Sequence, residues 1–279
     1  MNRSKGPKKP LRKLGNRKGN LDKSREGKNN LEKPTYDAQN PTPTYPMRLN
    51  KYIANAGVCS RREADTLIEN GEIKVNGKIV SEMGHKVNEG DKIEHNDKLL
   101  SLEKLVYVLL NKPKDFITTT DDPQERRTVM NLVDKACTER IYPVGRLDRM
   151  TTGLLLLTND GEMAKILSHP SHQIRKIYEA TLDKPLKPED MEAIREGFQL
   201  DDGPVQVDDI ALNVEDDRIV GLEIHIGRNR IVRRMFEHFG YEVVKLDRVV
   251  YAGLTKLDLP RGKWRYLKEK ELLRLKRYK

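Results

Sequence analysis

Residues 145 to 153 read Gly145-Arg146-Leu147-Asp148-Arg149-Met150-Thr151-Thr152-Gly153, and the apolar run Leu154 to Leu157 follows at once. One carboxylate lies between two arginines in a loop bounded by glycines, ahead of a segment apolar enough for a buried strand. Flanking guanidinium groups favour the ionised carboxylate, which suits Asp148 to the role of nucleophile or charge stabiliser better than to that of general acid. A lone Arg-x-Asp-Arg cluster more often pins a loop by an ion pair. The rest of the chain has to decide between the two.

The 279 residues are enough for two domains, 34% of them are charged and 5% aromatic. No apolar run approaches the roughly 18 residues of a membrane-spanning helix, and the N-terminus lacks the apolar core of a secretory signal. Cys59 and Cys137 lie in separate segments with no metal-ligand spacing around them. A reducing, cytoplasmic setting without zinc or a disulfide framework is therefore expected. The net charge of +10 points to a polyanionic partner. Much of it is concentrated in residues 1–46, with 12 Lys and Arg against 4 Asp and Glu. That segment has almost no large apolar side chains and reads as a disordered basic tail, either an RNA tether or a dispensable extension.

From Met47 the pattern becomes helical. Leu49, Tyr52, Ile53 and Ala56 share a face, with Gly57 as a stop. Ser60 and Glu63 form a capping box for a second helix that ends at Asn70-Gly71. Ile73 to Val75, the turn Asn76-Gly77, and Lys78 to Val80 then make a hairpin. Lys51, Arg61, Arg62, Lys74 and Lys78 fall on this helix-helix-hairpin module as a candidate basic face. The pattern Arg-Leu-Asn-Lys-Tyr-Ile-Ala, Ser-Arg-Arg-Glu-Ala, Gly-x-Ile-x-Val-Asn-Gly resembles the S4 RNA-binding domain. This places the domain at 47–95 and a polar linker at 96–104.

The second domain, 105–279, opens with an apolar strand and Asn111-Lys112-Pro113. A helix is expected after Asn159-Asp160-Gly161, a strand from Lys176, a helix at Pro188 to Glu196, and a strand over Ile219 to Ile226. Gly227-Arg228-Asn229-Arg230 then leads into a helix carrying Ile231, Val232, Met235 and Phe236, stopped at Gly240. Its opposite face holds Arg230, Arg233, Arg234 and Glu237. Strands and helices without regular alternation give an α+β class with a mainly antiparallel mixed sheet.

Gly145 to Asp148 with Thr151 to Gly161 resembles motif II of the pseudouridine synthases, in the branch of RsuA, RluB, RluE and RluF. Lys112-Pro113 resembles motif I, where Asp115 stands in place of the usual glycine. Lys176-Ile177-Tyr178 resembles motif IIa. Gly227 to Met235 resembles motif III, with Ile231 where glutamine is usual. The resemblance implies the pseudouridine synthase fold, Asp148 as the catalytic aspartate, Tyr178 as an active-site ring, and Arg233 as the basic residue that pairs with Asp148. It also implies RNA contacts by Lys51, Lys74, Arg61, Arg62, Arg146, Arg149 and Arg230, no cofactor and no metal. The partner would be ribosomal RNA or a ribosome-assembly intermediate, with 23S favoured by the Gly-Arg-Asn-Arg form of motif III, and the enzyme a monomer. RNA from 16S or tRNA stays open. So does a non-enzymatic S4-type assembly factor, which residues 1–95 alone would fit. A glycoside hydrolase would need a second carboxylate in defined geometry, and Asp148 stands alone among arginines.

Overall fold

A computed structural model of the chain describes residues 43–278, so the expected basic tail falls outside it up to residue 42. The first elements are β1 (Met47–Arg48), α1 (Leu49–Asn55), α2 (Arg61–Glu69), β2 (Ile73–Val75), β3 (Lys78–Ile79), β4 (Lys86–Val87), β5 (Ile93–His95) and β6 (Lys98–Leu99). Ser60 caps α2 as the sequence requires: its hydroxyl accepts from the Glu63 backbone at 3.3 Å, and the Glu63 carboxylate accepts from the Ser60 backbone at 2.6 Å. Asn76 and Gly77 have φ of 52° and 76°. That pair of left-handed residues matches the twist of a two-residue hairpin. The strands pair in the order β3-β2-β5-β6. Leu49, Ile53, Ala64, Ile68, Ile73, Val87 and Ile93 bury against one another beneath them.

The expected linker at 96–104 begins inside this sheet. Asn96 and Asp97 make a turn with positive φ, β6 pairs back on β5, and Leu100 and Leu102 pack on the small core. The alternation of Leu100 and Leu102 is too short and too polar at its flanks to stand out as a strand. Glu103 then bridges the modules: its backbone N–H donates to Asn55 O at 3.0 Å, and its carboxylate accepts from the Arg140 backbone at 3.1 Å. No helix among the described residues is long and apolar enough to cross a membrane.

The second domain runs through β7 (Tyr107–Lys112), α3 (Met130–Val133), β8 (Tyr142–Pro143), β9 (Thr152–Thr158), α4 (Gly161–Ser168), β10 (Lys176–Leu182), α5 (Pro188–Glu196), β11 (Phe198–Leu200), β12 (Gly203–Val205), β13 (Asp209–Leu212), β14 (Ile219–Ile224), α6 (Ile231–His238), β15 (Val243–Tyr251), β16 (Leu254–Thr255), β17 (Trp264–Tyr266) and α7 (Glu269–Lys276). Its sheet has the order β13-β14-β10-β15-β9-β7-β17, with β16 on β15 and β8 on β9. Among the described strands only β9 and β15 pair in parallel, through Thr152 with Asp247 and Gly153 with Arg248. The class is α+β with a mixed, mainly antiparallel sheet.

The leucine run shows why that sheet is covered on both faces. Side chains alternate across a strand, so Leu155 and Leu157 join Val108, Leu110 and the α6 residues Val232, Met235 and Phe236. Leu154 and Leu156 join Tyr107, Leu109, Met163 and Leu167 of α4, and Leu272 and Leu275 of α7. Each fully buried leucine contributes about 2 kcal/mol. An exposed face would forfeit half of this.

Gly153 makes the parallel pairing possible. Its φ is 106°, and a Cβ there would stand 2.5 Å from the Arg248 backbone nitrogen and closer still to the Arg248 carbonyl oxygen. Both obstacles are backbone and cannot swing aside. Gly153→Ala should therefore destabilise the protein by about 3 kcal/mol or more through clash and strain together. Thermal unfolding checks this, and a melting temperature equal to the parent's would mean that β15 can retreat from β9.

Candidate active site

The turn carrying Asp148 is held from behind by its backbone. Lys112, at the end of β7, is fully buried, and its ammonium donates to the carbonyls of Thr151 at 2.8 Å, Asp148 and Pro113 at 3.1 Å, and Arg149 at 3.2 Å. Thr118 grips Leu147 twice, donating to its carbonyl at 2.8 Å and accepting from its N–H at 3.2 Å. The Asp115 N–H donates to Arg149 O at 3.0 Å. Burial pulls the Lys112 pKa down to about 8, with Asp148 acting against that shift. The ammonium thus keeps its proton at neutral pH.

Asp115 resolves the departure from motif I. It adopts φ of 67°, the left-handed conformation that a glycine takes freely and that aspartate tolerates better than most residues. The turn survives the substitution, and the aspartate also pairs with Arg149 at 3.0 Å.

In front of the turn lies a pocket of about 140 Å³, with Asp148, Tyr178, Lys176, Arg248, Thr151 and Ile231 in its wall. The Asp148 carboxylate makes no hydrogen bond or ion pair among the described residues and is half-buried. Tyr178 is 9% exposed on β10, with Arg248 of β15 as its cross-strand partner. The folded chain therefore brings two of the three expected catalytic positions together.

Arg233 is near but not in contact. The expected ion pair with Asp148 is not formed: Arg233 Nη1 donates to Val243 O at 2.6 Å, and its Nε is buried without an acceptor among the described residues. Burial, and then the charge on Arg230, lower its pKa below the usual arginine range, while Asp148 acts to raise it. The two groups thus interact across space while α6 ties the guanidinium to the start of β15.

The expected RNA-contacting cations divide into two groups. Lys51 pairs with Glu162, Lys74 with Asp97 at 2.7 Å, Arg149 with Asp115, and Arg230 with Glu237 at 3.7 Å. Arg61 donates to Asn50 at 3.2 Å. Such exposed pairs are worth under about 1 kcal/mol and exchange readily for a phosphate. Arg62 and Arg146 are exposed and have no ion pair among the described residues. Arg228 also lines the pocket but is fixed by Asp202 and the carbonyls of Asp202, Gly203 and Pro204.

Sequence reasoning gave no role to Lys176, quoted only as part of motif IIa, or to Arg248. Burial, with Arg248 beside it, pushes the Lys176 pKa down to about 8. The period of two along β10 puts Lys176 on the face of Tyr178, a signal that was readable. Arg248 became visible only through the pairing of β15 with β10.

Comparison with known proteins fits this geometry. Residues 106–238 match the family model for RNA pseudouridylate synthase, and residues 47–93 match that for the S4 domain. Ribosomal large subunit pseudouridine synthase B of Bacillus subtilis is 45% identical over 234 residues, covering 82% of this chain and 95% of that protein. The chain belongs to the RNA pseudouridine synthases. Dual-specificity RNA pseudouridine synthase RluF of Escherichia coli K12 is 37% identical to the synthase, with 84% and 79% of the two chains covered. A crystal structure of a pseudouridylate synthase superposes with a TM-score of 0.59 at 33% identity, covering 82% of the synthase and 99% of that chain. The synthase is therefore an isomerase of the RsuA family with an S4 RNA-binding domain.

Two outcomes test the scaffold. Lys112→Met leaves four carbonyls without their donor and should cost about 3 kcal/mol of stability; unchanged unfolding would show that solvent replaces the ammonium. Asp247, beside the parallel pair, gives a pH signature. Burial would raise its pKa, but hydrogen bonds from Arg261, Lys256 and Thr152 outweigh burial and hold it at about 2. A depressed folded pKa contributes stability above the unfolded value of about 4 and loses it as pH falls towards about 2. Asp247→Asn should remove about 2 kcal/mol at pH 7 and flatten the stability profile between pH 4 and 2. Parallel profiles for variant and parent would refute the linkage.

Proposed function

We propose that the synthase isomerises one uridine of 23S ribosomal RNA, held in a hairpin loop, with Asp148 as the catalytic carboxylate. The observation that carries the reading is an uncommitted carboxylate on a rigid turn, facing a tyrosine ring across a pocket of about 140 Å³. A cavity of about 150 Å³ holds one benzene ring. The space thus suits one extruded pyrimidine base.

The reaction breaks the bond between ribose C1′ and N1, turns the uracil and joins C5 to C1′. N1 gains the proton that C5 finally loses, so the atoms balance within one nucleotide and no cofactor or metal is called for. Asp148 acts at the ribose, by attack at C1′ or by assisting elimination at C2′. A stacked base is out of reach, so the nucleotide is flipped, with Tyr178 stacking on it. Arg233 acts on Asp148 through space and keeps its charge aimed at the sugar. Arg61, Arg62, Lys51 and Lys74 on the S4 domain, with Arg146, Arg149 and Arg230 around the pocket, receive the flanking phosphates. One chain supplies every one of these groups, and a monomer suffices.

The large-subunit name of the 45% identical Bacillus relative supports 23S RNA. The dual-specificity name of the Escherichia coli relative favours a second reading, in which another RNA with a similar loop is also accepted. Carbodiimide mapping of pseudouridines in RNA from cells with and without the gene separates them: a site missing only from 16S RNA or tRNA would move the substrate and leave the chemistry in place. Asp148→Asn should lower single-turnover isomerisation about a thousandfold while RNA affinity is kept. Turnover within tenfold of the parent would remove Asp148 from the mechanism.

A further inference from the structure

Arg248 is a buried charge with no counter-ion among the described residues. It is 3% exposed, its Nε donates to Leu154 O at 2.8 Å, and its guanidinium lies 4.3 Å from the centre of the Tyr251 ring. Nη2 is buried without an acceptor among the described residues, and no carboxylate lies within ion-pair distance there. Its neighbour Asp247 is engaged by Lys256 and Arg261. A guanidinium does not shed its proton, and an unpaired buried ion costs several kcal/mol.

A second cation stands beside it. Lys176 donates to Ile174 O at 3.0 Å and His225 O at 2.7 Å, which uses two of its three protons, and it has no ion pair among the described residues. Arg248 repels it; Asp208 is the acidic group that acts on it, and Asp208 is already bonded to His225 at 2.8 Å. Thr151 Oγ1, in the same wall, is buried without a partner among the described residues. Donors in excess and one unused acceptor thus meet in the pocket that holds Asp148 and Tyr178.

We propose that Arg248, assisted by Lys176, binds the uracil of the target nucleotide through its carbonyl oxygens and takes up the negative charge that gathers there as the C1′–N1 bond breaks. This rests on the pocket being where uridine is isomerised. When that bond breaks, its electron pair stays with N1 and spreads onto O2 and O4; these oxygens then accept more strongly than in the intact nucleoside. Fixed donors in a site screened from water favour such a state over the ground state. Thr151 Oγ1 complements the set by accepting from N3–H. A backbone phosphate is the poorer occupant. Arg146 and Arg230 are exposed and Arg248 is buried, and the part of a flipped nucleotide that goes deepest is its base.

The test compares 23S and 16S ribosomal RNA transcripts made with uridine and with 5-fluorouridine, under single turnover, reading consumption of the target nucleotide by nuclease digestion and chromatographic separation of the nucleosides, since uridine and its isomer have equal mass. Fluorine at C5 stabilises the uracil anion and so reduces the need for protein donors. Arg248→Gln should slow the uridine reaction by about a hundredfold. RNA affinity should stay within threefold, and the loss on 5-fluorouridine RNA should be at least tenfold smaller. Lys176→Gln, at a half-buried position that does not threaten folding, should show the same contrast with a smaller amplitude. Equal losses on the two RNAs for both variants would mean a structural role and overturn the proposal, as would rates within threefold of the parent. If Arg248→Gln does not fold, the Lys176→Gln contrast decides by itself. Asp148→Asn run in parallel separates the two levels: an active Asp148→Asn sinks the site, whereas an inactive one beside unaffected Arg248 and Lys176 variants sinks only the anion role.

Discussion

A single buried ammonium organises the site. Lys112 gathers carbonyl oxygens from Pro113, Asp148, Arg149 and Thr151, and so fixes the turn between β8 and β9 from its inner side. The pKa of about 8 expresses what this costs: relative to water, the buried charge gives up about 3 kcal/mol. Its three protons, shared among four carbonyl oxygens, offset it. Because the backbone does the holding, the Asp148 side chain is left free of internal partners. A turn pinned by an Asp148 ion pair, the plainer reading of the Arg-x-Asp-Arg cluster, would have tied up the carboxylate that we propose acts at the ribose.

Local punctuation in the chain translated well into structure. The Ser60 capping box, the Asn76-Gly77 hairpin and the helix from Pro188 to Glu196 depend on residues a few positions apart, and each lies where the sequence placed it. The leucine run also revealed its own burial, since four consecutive apolar residues cannot alternate between core and water. Asp115 shows how far local reasoning carries. A glycine position taken by aspartate keeps its turn because aspartate accepts the left-handed region, and the added carboxylate finds Arg149 across the loop.

Relations that need the tertiary fold were not legible. The distance between Asp148 and Arg233 depends on how α6 leans on β15, and the Val243 carbonyl captures the guanidinium before the aspartate does. Lys51 and Lys74 read as free cations, yet their partners Glu162 and Asp97 are set by domain contact and by a turn that the sequence had placed in a linker. Arg248 reads as one more basic residue in a basic chain. Only the pairing of β10 with β15 places it across from Tyr178.

The distribution of unpaired charge distinguishes the pocket from the rest of the surface. Outside it, arginines commonly have carboxylates: Arg126 with Asp122, Arg175 with Glu223, Arg218 with Asp216, Arg234 with Asp202. Around Asp148 the rule is broken at Lys112, Lys176, Arg233 and Arg248, each partly or wholly out of water and without an ion pair among the described residues. Carboxylates in these positions would relieve the repulsion and stabilise the empty fold. On the proposed function they would also answer in advance the charges that a polyanionic strand and a departing base bring with them.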